Sequence, residues 1–228
     1  MSITEQLLQT QEPWVVFRAL QDLAGFDLTS PEVRNARQKL LAHPLITGLI
    51  AELQAWPGTV LNSHKSAGQL YHKLAFLADL GLTRGDADFS TLSAALDRSR
   101  SPEGLFRLPM LISPAHGGSG QEQYAWALCD APLLLYSALK MDLGSDRQLA
   151  TQAVATLSAL VRDNGWPCTV SPELGSFRGP GKKADPCPYA TLIMLKLLAL
   201  TPEALASPAA LAGVEALLHL WTDSQNQH

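Results

Sequence analysis

The chain has little that would support a sheet, a membrane span or a nucleic-acid interface. No stretch alternates apolar and polar residues over six positions with a β-branched bias, and valine and isoleucine are sparse beside leucine and alanine, so no sheet is expected. The longest apolar run, Ala190 to Leu200, is far short of a bilayer span and contains Lys196. Lys and Arg total 17 against 21 Asp and Glu, for a formal net charge of -4. Binding a phosphate backbone needs the opposite balance, so no nucleic-acid partner is expected. The 3 cysteines are an odd count, which does not suit a disulfide framework. Met1 to Gln11 lacks a charged segment followed by an apolar one, so no signal peptide is expected and a reducing, cytoplasmic setting is the default.

What is present is helix. Leucine and alanine form helices well, and a chain of 228 residues with 46% hydrophobic and only 17% charged residues implies many fully buried segments. The expectation is a single all-α domain over residues 1–228. Residues 2–28 supply a helix or two, and Thr29-Ser30-Pro31-Glu32 is a helix start with a Ser cap and Pro in the first turn. A pattern then repeats: an amphipathic helix, a Gly/Pro/Trp loop, and a helix that is apolar almost all round. Copies fall near 32–82, 91–144 and 148–202, with a partial one at 208–221. A helix with one polar face belongs outside, and one apolar on every side must be covered on every side. Alternating the two at roughly 50–60 residues per pair predicts an inner arc or ring of helices wrapped by an outer layer, the alternative being an ordinary helical solenoid, whose repeats usually run shorter.

One long loop, Gly165 to Tyr189, concentrates the reactive residue types. Asp185 and Cys187 flank Pro186 at the mouth of the apolar helix. A thiolate there is favoured by the helix dipole and by Lys182 and Lys183, and a neighbouring carboxylate could join it on zinc. Asp before Pro is equally the preferred start of any helix, and zinc needs at least a third protein ligand. Cys129, before Asp130-Ala131-Pro132, is either such a ligand or a small buried apolar residue. Arg178, Lys182 and Lys183 form either an anion site or an ordinary solvated loop. His116, beside Gly117-Gly118, lies in a loop that could fold over a cavity. Trp126, near Tyr124 and Cys129, is the best aromatic candidate to line one, whereas Trp56 and Trp166 suit packing wedges.

These segments resemble the α/α-toroid superfamily, which holds the squalene and terpene cyclases and the β subunits of protein prenyltransferases. Gly175-Ser176-Phe177-Arg178-Gly179, then Lys182-Lys183, then Asp185-Pro186-Cys187, is similar to the prenyltransferase zinc loop. His116-Gly117-Gly118 followed by Tyr124 and Cys129 is similar to the segment entering the neighbouring inner helix. The resemblance implies a toroid, complete or an open ring of about four hairpins, by its repeat pattern. It further implies an apolar ligand in a central cavity, with a diphosphate held by His116, Arg178 and Lys182, and zinc held by Asp185 and Cys187. Tyr189 stands one place beyond the family's tyrosine, displaced by Pro188. The family's third zinc ligand, a later His, has no counterpart in that context, since the late histidines are His219 and His228. Asp86-Ala87-Asp88-Phe89 lacks the last carboxylate of the cyclase motif. Both a prenyltransferase-like enzyme and a non-catalytic binding or protein-interaction scaffold remain open, as does a ring closed by a second copy or a protein partner.

Overall fold

A computed structural model describes residues 1–62, 67–144, 146–177, 182 and 184–225. Among them the regular structure is helical apart from one hairpin: α1 (Ile3–Leu8), α2 (Pro13–Asp22), α3 (Pro31–Ala42), α4 (Pro44–Leu53), α5 (Leu70–Leu80), α6 (Ser90–Arg98), β1 (Leu108–Leu111), β2 (Glu122–Ala125), α7 (Ala131–Met141), α8 (Arg147–Ser158), α9 (Pro188–Leu198), α10 (Pro202–Leu205) and α11 (Pro208–Gln225). No helix is long and apolar enough to cross a membrane among the described residues.

Local chemistry explains most of the boundaries. The Ser30 hydroxyl accepts the Val33 amide at 3.3 Å and Pro31 opens α3, as expected for that start. The single helix expected over 32–55 is two. Pro44 has no amide hydrogen and restricts the residue before it, so His43 turns extended and its ring nitrogen caps α4 by accepting the Leu45 amide at 3.2 Å. Gly81 closes α5 at φ 89, a left-handed conformation that glycine adopts without a Cβ clash. The inner helix expected from Asp185-Pro186 starts later, with Cys187 as the cap residue and Pro188 in the first turn.

The layering follows burial. α7 is buried from Ala131 through Ala138, whereas α8 buries only Ala150, Ala153 and Leu157. Helix α5 packs on α7, α7 on α9 and α9 on α11, while α4 and α8 lie against this row. The first three helices of the row run in the same direction. Their opening residues Tyr71, Asp130 and Tyr189 share one electrostatic neighbourhood. Their closing turns meet through Asp79, Lys140 and Lys196.

The hairpin was not expected. β1 pairs antiparallel with β2, Leu108 opposite Ala125 and Leu111 opposite Glu122. Leu-Pro-Met-Leu has no β-branched residue, and Pro109 cannot donate to a ladder. Its carbonyl accepts the Leu61 amide at 2.8 Å and Leu61 accepts the Leu111 amide at 2.9 Å, so Leu61 completes the edge. Burial of Leu108 and Met110 under the core holds this strand, a tertiary effect that propensity does not contain.

Trp166 pins the layers together. It is fully buried, and its indole N–H donates to the Leu157 carbonyl of α8 at 2.8 Å. Its amide donates to the Thr191 hydroxyl of α9 at 3.1 Å, and its carbonyl accepts the Cys187 amide at 2.7 Å. On α11, a Cβ at Gly213 would stand 2.7 Å from the indole ring, so only glycine lets α11 approach this closely.

Candidate functional site

The described mouth of the helical row is built from three chain segments. Residues 166–170 lie between residues 126–128 and 186–187: Leu128 donates to the Thr169 carbonyl at 2.9 Å, Ala127 bridges Val170, and Pro167 bridges Pro186. This arrangement brings Cys129 within electrostatic reach of Cys168, Cys187 and Asp130. Tyr71 at the start of α5 and Tyr189 at the start of α9 complete the cluster.

Asp130 dominates its chemistry. The side chain is 2% exposed, and its carboxylate accepts the Ala127 amide at 3.3 Å and the Ala131 amide. Loss of water outweighs these two hydrogen bonds and pushes its pKa up to about 8. Burial likewise pushes the Cys129 thiol up, with the Asp130 charge adding to it, so Cys129 is held as a thiol and not as a nucleophilic thiolate. Burial raises Tyr71 as well and pushes Tyr189 up to about 12. Cys129, Tyr71 and Tyr189 are therefore neutral groups around a carboxyl that stays protonated near neutral pH.

The residues singled out in the sequence occupy different places. The His116 and Gly175–Phe177 loops meet: the Ser176 amide donates to the Gly117 carbonyl at 3.1 Å, and a Cβ on Gly117, at φ +83, would strike the Ser176 hydroxyl at 2.8 Å. His116 itself is exposed, with Nδ1 2.9 Å from the Ser113 hydroxyl. Trp126 is half-buried against the core, with its amide on the Ser171 hydroxyl at 3.2 Å. Lys182 is exposed, and its amide donates to the Asp185 carboxylate at 2.6 Å. Arg178 and Lys183 lie outside the described residues, as do His64 and His228.

Asp185 is exposed and closes that short turn, whereas Cys187 is half-buried and its sulfur accepts the Ala190 amide at 3.5 Å. Among the described residues no three His, Cys, Asp or Glu side chains are grouped to hold a metal. Asp185 and Cys187 thus leave zinc without a third protein ligand there, and the fit to that ion is poor. Asp86 serves the scaffold instead, because its carboxylate accepts the Arg37 guanidinium at 2.8 and 2.5 Å and the Thr83 amide at 2.6 Å.

A separate cavity of about 790 Å³ opens at the other end of the row, between α7, α8, α9 and α10. Leu135, Leu139, Val154, Leu197, Leu198 and Ala204 form apolar walls. Arg100, Arg147, Asp142, Asp146 and Glu203 also line it. None of the described residues expected to bind a ligand lines it. Sequence signals for it existed only as small residues on α8, Ala150 and Ala155, which leave room between the layers.

No protein family, curated protein or solved structure matches the chain.

Proposed function

We propose that the chain is a non-catalytic ligand-binding domain whose helical row is an open segment of an α/α toroid, holding an apolar small molecule between its layers. The cavity of about 790 Å³ carries this reading. Its volume lies in the range of small-molecule pockets, and apolar walls with a few charged groups are the usual composition of such sites. The row of same-direction helices α5, α7 and α9, each preceded in the chain by a more exposed helix, supports the toroid assignment. Isoprenoid alcohols such as farnesol have the shape and polarity for these walls.

Fluorescence of N-phenyl-1-naphthylamine and its displacement by farnesol test the reading. Val154→Trp fills the space between α8 and the row, and is expected to weaken probe binding at least about tenfold, the scale of a lost apolar pocket contact set. Unchanged binding in a folded Val154→Trp protein refutes the cavity as the site.

A second reading, a prenyltransferase- or cyclase-like enzyme, is favoured by Asp130 alone. A buried carboxyl protonated near neutral pH beside two phenols is a suitable acid for initiating isoprenoid chemistry. Turnover of farnesyl diphosphate or a polyene, lost in Asp130→Asn, would establish it over the binding role. Asp185 is exposed and a third protein ligand is lacking among the described residues, so this reading does not rest on zinc.

A further inference from the structure

The closing turns of α5, α7 and α9 carry a polar cluster that neither the mouth nor the cavity uses. The Tyr136 hydroxyl donates to the Asp79 carboxylate at 2.6 Å, and the Lys140 ammonium donates to that hydroxyl at 2.8 Å. The Lys196 ammonium donates to the other Asp79 oxygen at 2.5 Å. Both ammonium groups also lie over the Tyr136 ring, 5.2 and 4.6 Å from its centre. Two cations thus converge on one carboxylate, and Lys140 stays 3.9 Å from it, beyond hydrogen-bond distance. The nearby Arg18 and Asp22 pair with each other at 2.8 Å and cancel. One positive charge is left over.

Each ammonium has three donors, and each has a single protein acceptor among the described residues. Both side chains are partly accessible, at 27% and 34%. Burial pushes the Lys140 pKa down despite Asp79, so its charge is under-compensated where it stands. One helical turn towards the mouth the surface becomes apolar. Phe76 precedes Asp79 by three positions and Leu192 precedes Lys196 by four, which puts each on the same face as its charged neighbour. They are 42% and 56% exposed. Large side chains left bare beside an uncompensated charge mark a surface made for contact.

We infer that this face of the helical row binds an amphipathic carboxylate, its headgroup on Lys140 and Lys196 and its alkyl body along Phe76 and Leu192. A monoanion matches the single surplus charge. The head occupies the remaining donors without breaking the Asp79–Tyr136 bond that joins α5 and α7. The site is distinct from the cavity between α7 and α8, and its ligand differs from the neutral apolar molecule proposed there.

Titration calorimetry with octanoate, octan-1-ol and octylammonium tests the inference on the intact chain carrying Val154→Trp, which fills the cavity where an alcohol is expected to bind. Octanoate is expected to bind and the other two to bind at least about tenfold more weakly, the scale of a charge-assisted hydrogen bond. Lys140→Met, which keeps the stem and removes the charge, is expected to lower octanoate affinity about tenfold on the same basis. Asp79→Asn raises the surplus charge and is expected to tighten octanoate binding even as it loosens the helices, a gain that a purely structural cluster would not give. Val154→Trp is expected to leave octanoate binding unchanged, which separates this site from the cavity. Equal binding of octan-1-ol or octylammonium overturns the inference. So does unchanged octanoate affinity in folded Lys140→Met, or weaker octanoate binding in Asp79→Asn.

Discussion

Replacing Asp130 with Asn should make the protein more stable at slightly alkaline pH, and the gain should vanish in acid. An aspartate carboxyl ionises near 3.8 in an unfolded chain, whereas in the fold burial pushes this one up to about 8. Between these values the folded protein keeps a proton that the unfolded chain has lost. Stability is therefore full below the unfolded value and declines as pH rises towards the folded one, by about 1.4 kcal/mol per pH unit. Over the whole window the loss is on the order of 5 kcal/mol. Asn keeps the shape and an acceptor oxygen for the Ala127 and Ala131 amides but cannot ionise, so it removes the slope. The other resolved carboxyl shifts, at Asp27, Asp88 and Glu173, are downward, so their contributions are lost towards acid and give no decline with rising pH. Urea unfolding of both proteins from pH 5 to pH 8 reads the difference directly. The parent midpoint should fall relative to Asp130→Asn with each step. Parallel curves, or a variant weakened equally at both ends, would refute a protonated buried carboxyl.

Two further substitutions probe the scaffold. Trp166→Ala removes a fully buried indole and its bond to the Leu157 carbonyl, and is expected to cost about 3–5 kcal/mol in urea unfolding. A loss under about 1 kcal/mol would mean that the segment closes over the gap and that Trp166 is no keystone. Asp86→Ala strands Arg37, since the Asp86 side chain is only 6% exposed in that pair. The expected loss is about 3 kcal/mol in the same assay, and Asp88→Ala, whose carboxylate caps only the exposed Ser90, should cost far less.

The helix periodicity was readable because each element states its own case: Ser30-Pro31 opens a helix in any context, and Gly81 closes one. The burial of α7 was readable for the same reason, since the sequence 131–138 is apolar almost throughout. Two features were not. The hairpin exists because Leu108 and Met110 are covered by residues distant in sequence, and nothing in Leu-Pro-Met-Leu announces that cover. The cluster of Asp79, Tyr136, Lys140 and Lys196 spans 117 positions between its first and last members. Its only sequence trace was Lys196 standing alone in the apolar run of α9, with the four-residue step from Tyr136 to Lys140. Asp185 misled for a physical reason. Asp-Pro is a good helix start, but Cys187-Pro188 two residues later is another, and the bond from the Cys187 amide to Trp166 selects the later one.

The two ends of the helical row show which electrostatic effect prevails. Helix dipoles favour anions at N-termini and cations at C-termini, by about 0.3–1 kcal/mol at exposed sites and up to about 2 kcal/mol in partly buried ones. At the C-terminal end Lys140 and Lys196 sit in the last turns of α7 and α9, the end that this preference gives to cations, and both are partly exposed. At the N-terminal end the dipole of α7 favours an ionised Asp130, and two backbone amides do so as well. Its full burial opposes them, and removing a carboxylate from water costs several kcal/mol even after relaxation. Desolvation exceeds the dipole, and the carboxyl keeps its proton. A protonated Asp130 at one end and lysines at the other follow from one row of similar helices, because Asp130 is fully enclosed whereas Lys140 and Lys196 keep part of their surface in water.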